Sequence, residues 1–155
     1  MNTIDTQKLR EFIFKASRAT YASGDSSIKE KQEDGSTTIR FEDGEYTFHD
    51  NYFGGEPYGG REVVFLNNKA IWMMVYYGFV DPSVEAKEVY PFLMASLSHS
   101  TLEIPYRGPE LYKEGSFTYE NTFVGDTTKF SGTEKIYKDG VCVYEASYLG
   151  GFVDL

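Results

Sequence analysis

A chain of 155 residues with 24 Asp and Glu against 15 Lys and Arg, and a formal net charge of −9, lacks the clustered cations that neutralise phosphates. Direct nucleic-acid binding and attachment to an anionic membrane surface are therefore not expected. Cys142 stands alone, no apolar run reaches the ~20 residues of a bilayer span, and the opening MNTIDTQKLREFIF has no apolar signal core, which together predict a cytoplasmic protein without disulfides.

Taken in order, Leu9, Phe12, Ile13, Ala16 and Ala19 recur at spacings of three and four and predict an amphipathic helix from Thr6 to about Ala22, capped by Thr6 and ended by Gly24. GDSSIKEKQEDGS is too polar to offset its ordering entropy by burial and reads as a mobile loop. Strands are predicted from Thr37 to Phe41 and from Glu45 to Phe53. Two further pairs follow, Gly60 to Leu66 with Lys69 to Tyr77 and Thr133 to Lys138 with Val141 to Leu149, joined by tight turns at Asn67-Asn68 and Asp139-Gly140. Residues 84–97 read as a second helix that Pro91 either kinks or divides. LEIPYRGPELYKEG, with Pro105, Gly108 and Pro109, reads as a loop.

The stretch 44–80 recurs at 115–152. At an offset of 71, Gly44, Tyr46, Phe48, Asp50 and Tyr52 meet Gly115, Phe117, Tyr119, Asn121 and Phe123. At an offset of 72, Gly60, Glu62, Trp72 and Tyr76 meet Gly132, Glu134, Tyr144 and Tyr148. The fold expected is α+β. Two tandem units, about 6–80 and 84–153, each consist of a helix and about three antiparallel strands; a pseudo-twofold axis relates them, and the helices cover one face of a bent sheet in a single domain. Two-residue turns would put Trp72, Tyr76, Tyr144 and Tyr148 on one face with Arg61 and Lys135. The helices would then rest on the aliphatic face of Val64, Ile71, Met73, Val75, Ile136 and Val143.

DNYFGGEPYGGREVV, WMMVYYG, PYRGPELYKEGSFTYEN, GDTTKFSGTEKIY and the closing YLGG together resemble an uncharacterised family of small bacterial domains over nearly the whole chain. Some members of that family follow a helix-turn-helix module of transcriptional regulators. The resemblance implies sensing or ligand binding but no particular chemistry. The helix-turn-helix itself is absent here, since the first helix leads straight into the loop and strands.

Several residues qualify as a site. Glu62 and Glu134 form a candidate carboxylate pair that would divide acid and base roles, or else two acids satisfied by backbone or tyrosine donors. Asp50 and Asn121, an acid in one copy and an amide in the other, fit a hydrogen-bonding role better than catalysis. Trp72, Tyr76, Tyr144 and Tyr148 form either an aromatic core or a cage for a cationic or flat guest. Arg107, held in PYRGP, is presented to a carboxylate or phosphate of a ligand or to a local acid. His49, His99 and Cys142 are isolated, so neither a metal nor a cofactor is expected. The leading expectation is a non-catalytic, sensor-like domain with an aromatic, acidic pocket for a small cationic or aromatic molecule. The alternatives are an enzyme using Glu62 and Glu134, and a homodimeric interaction module.

Overall fold

The computed structural model describes residues 3–155. Helix α1, Thr6–Ala19, buries Leu9, Phe12, Ile13 and Ala16, each large side chain contributing about 1.5–3 kcal/mol. Its cap is Asp5, one residue before the expected Thr6. The Asp5 carboxylate accepts from the backbone N–H groups of Gln7 and Lys8 at 3.1 Å each, and its charge suits the positive end of the helix. The helix stops at Thr20, whose hydroxyl donates back to the Ala16 carbonyl at 2.7 Å, and a 3-10 turn at Tyr21–Ser23 follows. The polar segment read as a loop carries a second 3-10 turn, Ser26–Ile28, capped by Asp25. It also carries β1, Glu30–Lys31.

The remaining strands are β2 Thr37–Asp43, β3 Tyr46–Phe53, β4 Tyr58–Leu66, β5 Lys69–Val80, β6 Leu111–Glu114, β7 Phe117–Asp126, β8 Lys129–Lys138 and β9 Val141–Phe152. Helix α2, Ala86–Leu97, runs unbroken through Pro91. All nine strands lie in one antiparallel sheet of order β1-β2-β3-β4-β5-β9-β8-β7-β6. Two consecutive runs of neighbours, five strands and four, thus meet where β5 pairs with β9. Each run exceeds the expected three strands, partly because β1 and β6 arise in segments read as loops. The tight turns form as expected: Asn67, Asn68, Asp139 and Gly140 all take positive φ, the conformation that a two-residue hairpin demands.

The faces differ from the expectation for one physical reason. Phe65 stands opposite Ala70, but Val64 stands opposite Trp72, so Ile71 is an extra residue in β5. Tyr137 stands opposite Cys142 and Ile136 opposite Tyr144, so Val143 is an extra residue in β9. A bulge of this kind shifts all pairing beyond it by one residue and exchanges the faces. Trp72 and Tyr76 therefore share a face with Val64 and Glu62 instead of Arg61, and Tyr144 and Tyr148 share one with Ile136 and Glu134 instead of Lys135.

That same aromatic face, not the opposite aliphatic one, is where the helices sit. α1 packs with Phe48, Val64, Trp72 and Met74, and α2 brings Val89, Phe92, Leu93 and Leu97 onto Tyr119, Ile136 and Tyr144. Val75, expected beneath a helix, is exposed on the outer face with Tyr77, Phe79 and Leu149. Among the described residues no helix is long and apolar enough to cross a membrane.

Candidate ligand-binding site

The register after the two bulges sets a polar pair inside each run of strands. Asp50 on β3 faces Glu62 on β4, and Asn121 on β7 faces Glu134 on β8. Next to each pair a tyrosine lies over a glycine, Tyr76 opposite Gly60 and Tyr148 opposite Gly132. A Cβ on Gly60 would stand 2.6 Å from the Tyr76 hydroxyl, and one on Gly132 would stand 2.2 Å from that of Tyr148. Only glycine leaves room for each phenol to cross its strand. Having crossed, Tyr76 donates to Asp50 Oδ1 and Tyr148 donates to Asn121 Oδ1 at 2.6 Å.

The Asn121 cluster is closed. Arg107 Nε donates to Glu134 Oε1 at 2.6 Å and the Tyr119 hydroxyl donates to Oε2 at 2.5 Å. Gly108 seals the loop down, its N–H donating to the Tyr119 oxygen and its carbonyl accepting from Asn121 Nδ2, both at 3.0 Å. Burial opposes the Arg107 charge, but Glu134 and the surrounding phenol groups outweigh it and raise the guanidinium's affinity for its proton. Arg107 and Glu134 are 4 % and 0 % exposed, so each depends on the other for compensation.

The Asp50 cluster is open and incomplete. Phe48 stands where the other cluster has Tyr119, so no hydroxyl reaches Glu62 from that position. Both Glu62 oxygens are buried and, among the described residues, have no hydrogen-bond partner. Burial first, and the neighbouring Asp50 second, push the Glu62 carboxyl well above its ordinary 4.5. Burial also pushes Asp50 up to about 6, against the opposing hydrogen bond from Tyr76 and the positive charges of Arg107 and Lys29. Over Asp50 and Tyr76 lies a cavity of about 700 Å³, which the fully buried Glu62 does not line and which is within the usual range for small-molecule sites. Asp50, Tyr76 and Arg107 line it from the sheet and loop side, Tyr52 and Tyr58 from the strands, Tyr90 from α2, and Tyr21 with Lys29 from the segment after α1.

The structure thus brings together Asp50, Glu62, Tyr76 and Arg107. Asn121 and Glu134 belong to the closed cluster, and Glu62 and Glu134 are on β4 and β8 with β5 and β9 between them. Trp72 is packed in the core against Tyr106 and Phe130, which stack on each other, with its indole N–H donating to the Thr127 carbonyl at 3.1 Å. Tyr144 shares a hydrogen bond with Tyr58 and, like Tyr148, does not line the cavity. Tyr52, Tyr58, Tyr90 and Tyr21 were not singled out by the sequence reading. A signal existed for two of them: Tyr52 and Tyr58 carry hydroxyls where the corresponding residues of the other copy, Phe123 and Phe130, carry none.

Residues 50–153 match the profile of the family described as Domain of unknown function (DUF5680). No curated protein matches the chain, and no solved structure does. The matched span includes Asp50, Glu62, Tyr76 and Arg107, whereas Tyr21 and Lys29 precede it.

Proposed function

We propose that this chain, which belongs to the Domain of unknown function (DUF5680) family, binds a small molecule in the cavity above Asp50 and serves as a non-catalytic, sensor-like domain. The observation that carries the reading is the contrast between the two clusters. In one, Glu134 takes donors from both Arg107 and Tyr119; in the other, Glu62 has none among the described residues and its neighbour Asp50, which lines the open cavity, has one from Tyr76. Buried carboxyl groups without partners are costly, and a bound molecule donating hydrogen bonds would offset that cost. The tyrosines around the cavity supply apolar area and ring faces for a cationic or aromatic guest.

The contrast fits an ancestral half that was doubled, with two units related by a pseudo-twofold axis. In support, a cross-strand polar pair with Glu as one member, the tyrosine-over-glycine crossing and the bulge recur at corresponding positions in the two runs. In this reading one copy became a structural anchor and the other kept its cavity.

A thermal-shift screen of the full chain against cationic and aromatic compounds tests the binding reading. Ligand at about a hundredfold above its Kd contributes about 2.7 kcal/mol, and a chain of this size gains about 2–4 °C per kcal/mol, so hits at roughly 5–10 °C are expected. A uniformly unresponsive protein would count against a pocket.

A second reading is an enzyme. Asp50 and Glu62 face each other across adjacent strands, and the pH at which Asp50 titrates is near neutrality, which suits proton transfer. These two acids are directly opposed on neighbouring strands, whereas β5 and β9 lie between the strands that carry Glu62 and Glu134.

A further inference from the structure

Resting on the binding reading above, we infer that the guest carries a guanidinium or amidinium group, a planar cation whose N–H groups donate to Asp50. The chain contains its own template for this. In the closed cluster the acid at the position matching Glu62 is held by a guanidinium, Arg107 Nε on Glu134 at 2.6 Å. The open cluster repeats that arrangement without the cation and with one more acid, since Asp50 stands where the closed cluster has the neutral Asn121.

The hydrogen-bond inventory agrees. Asp50 is 3 % exposed and Glu62 is fully buried, yet among the described residues the pair has only one side-chain donor, the Tyr76 hydroxyl on Asp50 Oδ1. Arg107, the cation within the cavity, is committed to Glu134 by a buried ion pair. Lys29 and Lys31 also line the cavity, Lys31 donating to the Thr37 hydroxyl at 2.8 Å, and among the described residues no side-chain hydrogen bond ties either of them to Asp50. Asp50 therefore faces the cavity with a single donor from the protein among the described residues, and a carboxylate accepting from a planar fork of donors is the strong, specific form of such pairing. The Tyr76 and Tyr58 rings stand beside the floor, where a flat cation gains attraction to ring faces. Arg107 already uses this arrangement, with its guanidinium carbon 5.6 Å from the ring centroids of both Tyr21 and Tyr76.

Titration calorimetry on the full chain at neutral pH, with benzamidine, agmatine and benzyl alcohol as probes, tests the inference. Benzamidine and agmatine are expected to bind and benzyl alcohol to bind at least about tenfold more weakly, the ratio set by one charge-assisted hydrogen bond. Asp50→Asn, which copies the natural Asn121 and keeps an acceptor for Tyr76, is expected to weaken both cations about tenfold or more while its thermal unfolding remains cooperative. Lowering the pH below 6 should weaken them in the wild-type chain and not in the variant. The titratable and charged groups around Asp50 and its cavity include Tyr21, Asp25, Lys29, Lys31, Tyr76, Arg107 and Glu134, which the variant leaves in place. Equal or tighter binding of benzyl alcohol, or cation binding indifferent to Asp50→Asn, would overturn the guanidinium class while leaving a cavity that binds. Silence from all three probes alongside hits of other chemistry in the thermal screen would overturn it likewise.

Discussion

Replacing Arg107 with Met is expected to destabilise the protein by about 3–5 kcal/mol, because it leaves a buried acid without its cation. At about 2–4 °C per kcal/mol the melting temperature falls by roughly 6–20 °C. Glu134 is fully buried and loses the 2.6 Å bond from Nε, keeping only the Tyr119 hydroxyl. The 3.4 Å contact of Nη2 with the Tyr58 hydroxyl is lost as well. Met fills much of the volume of the Arg stem, so the loss reads charge more than packing. Adding Glu134→Gln should recover part of the stability, since a neutral amide still accepts from Tyr119 and no longer needs a cation. Denaturant unfolding of both variants checks this; a double variant no more stable than the single would show that the ion pair is not what Arg107 supplies.

The second large effect concerns pH. Asp50 binds its proton more tightly in the folded protein, at about 6 against an ordinary 3.8, because burial penalises the anion. Its contribution to stability is therefore fully present below about pH 4 and is lost as pH rises towards 6, amounting to about 3 kcal/mol. Asp50→Asn removes this dependence. The variant should unfold at nearly the wild-type denaturant concentration at pH 4 and be more stable than wild type at pH 7, by up to that amount. The Tyr76 hydroxyl keeps an acceptor, as Tyr148 does on Asn121. Parallel stability curves for the two proteins from pH 4 to 7 would contradict the assignment. This cost in the free protein is also what a cationic guest would relieve, which ties the stability measurement to the binding site.

Much of this organisation is legible in the chain. The strands announce themselves by alternation, the hairpins by Asn67-Asn68 and Asp139-Gly140, and α1 by its spacing of Leu9, Phe12, Ile13 and Ala16, because these are local signals of backbone geometry. The faces of the hairpins are not legible in the same way. Ile71 and Val143 are ordinary strand residues, and nothing in their type marks them as the extra residue of a bulge, yet they decide that Glu62 and Glu134 point inward and Arg61 and Lys135 do not. Asp50, Glu62 and Tyr76 stand out in the sequence as polar or aromatic residues in matched positions, and Arg107 by its place in PYRGP. Which acid would be satisfied depends on Phe48 against Tyr119 and on where the loop at Arg107 lands, and the landing is a tertiary event that no local pattern encodes. Tyr90 and Tyr21 reach the cavity from α2 and from the turn after α1, so only packing brings them there.

A crystal structure of the full chain purified from its own cells examines the site most directly. Electron density for a bound molecule is expected between Asp50 and Tyr90, with planar nitrogen donors within about 3 Å of the Asp50 carboxylate. An Asp50 cluster covered instead by side chains of α2 and the segment after α1, with donors from the protein on Glu62 and no space above it, would contradict the account.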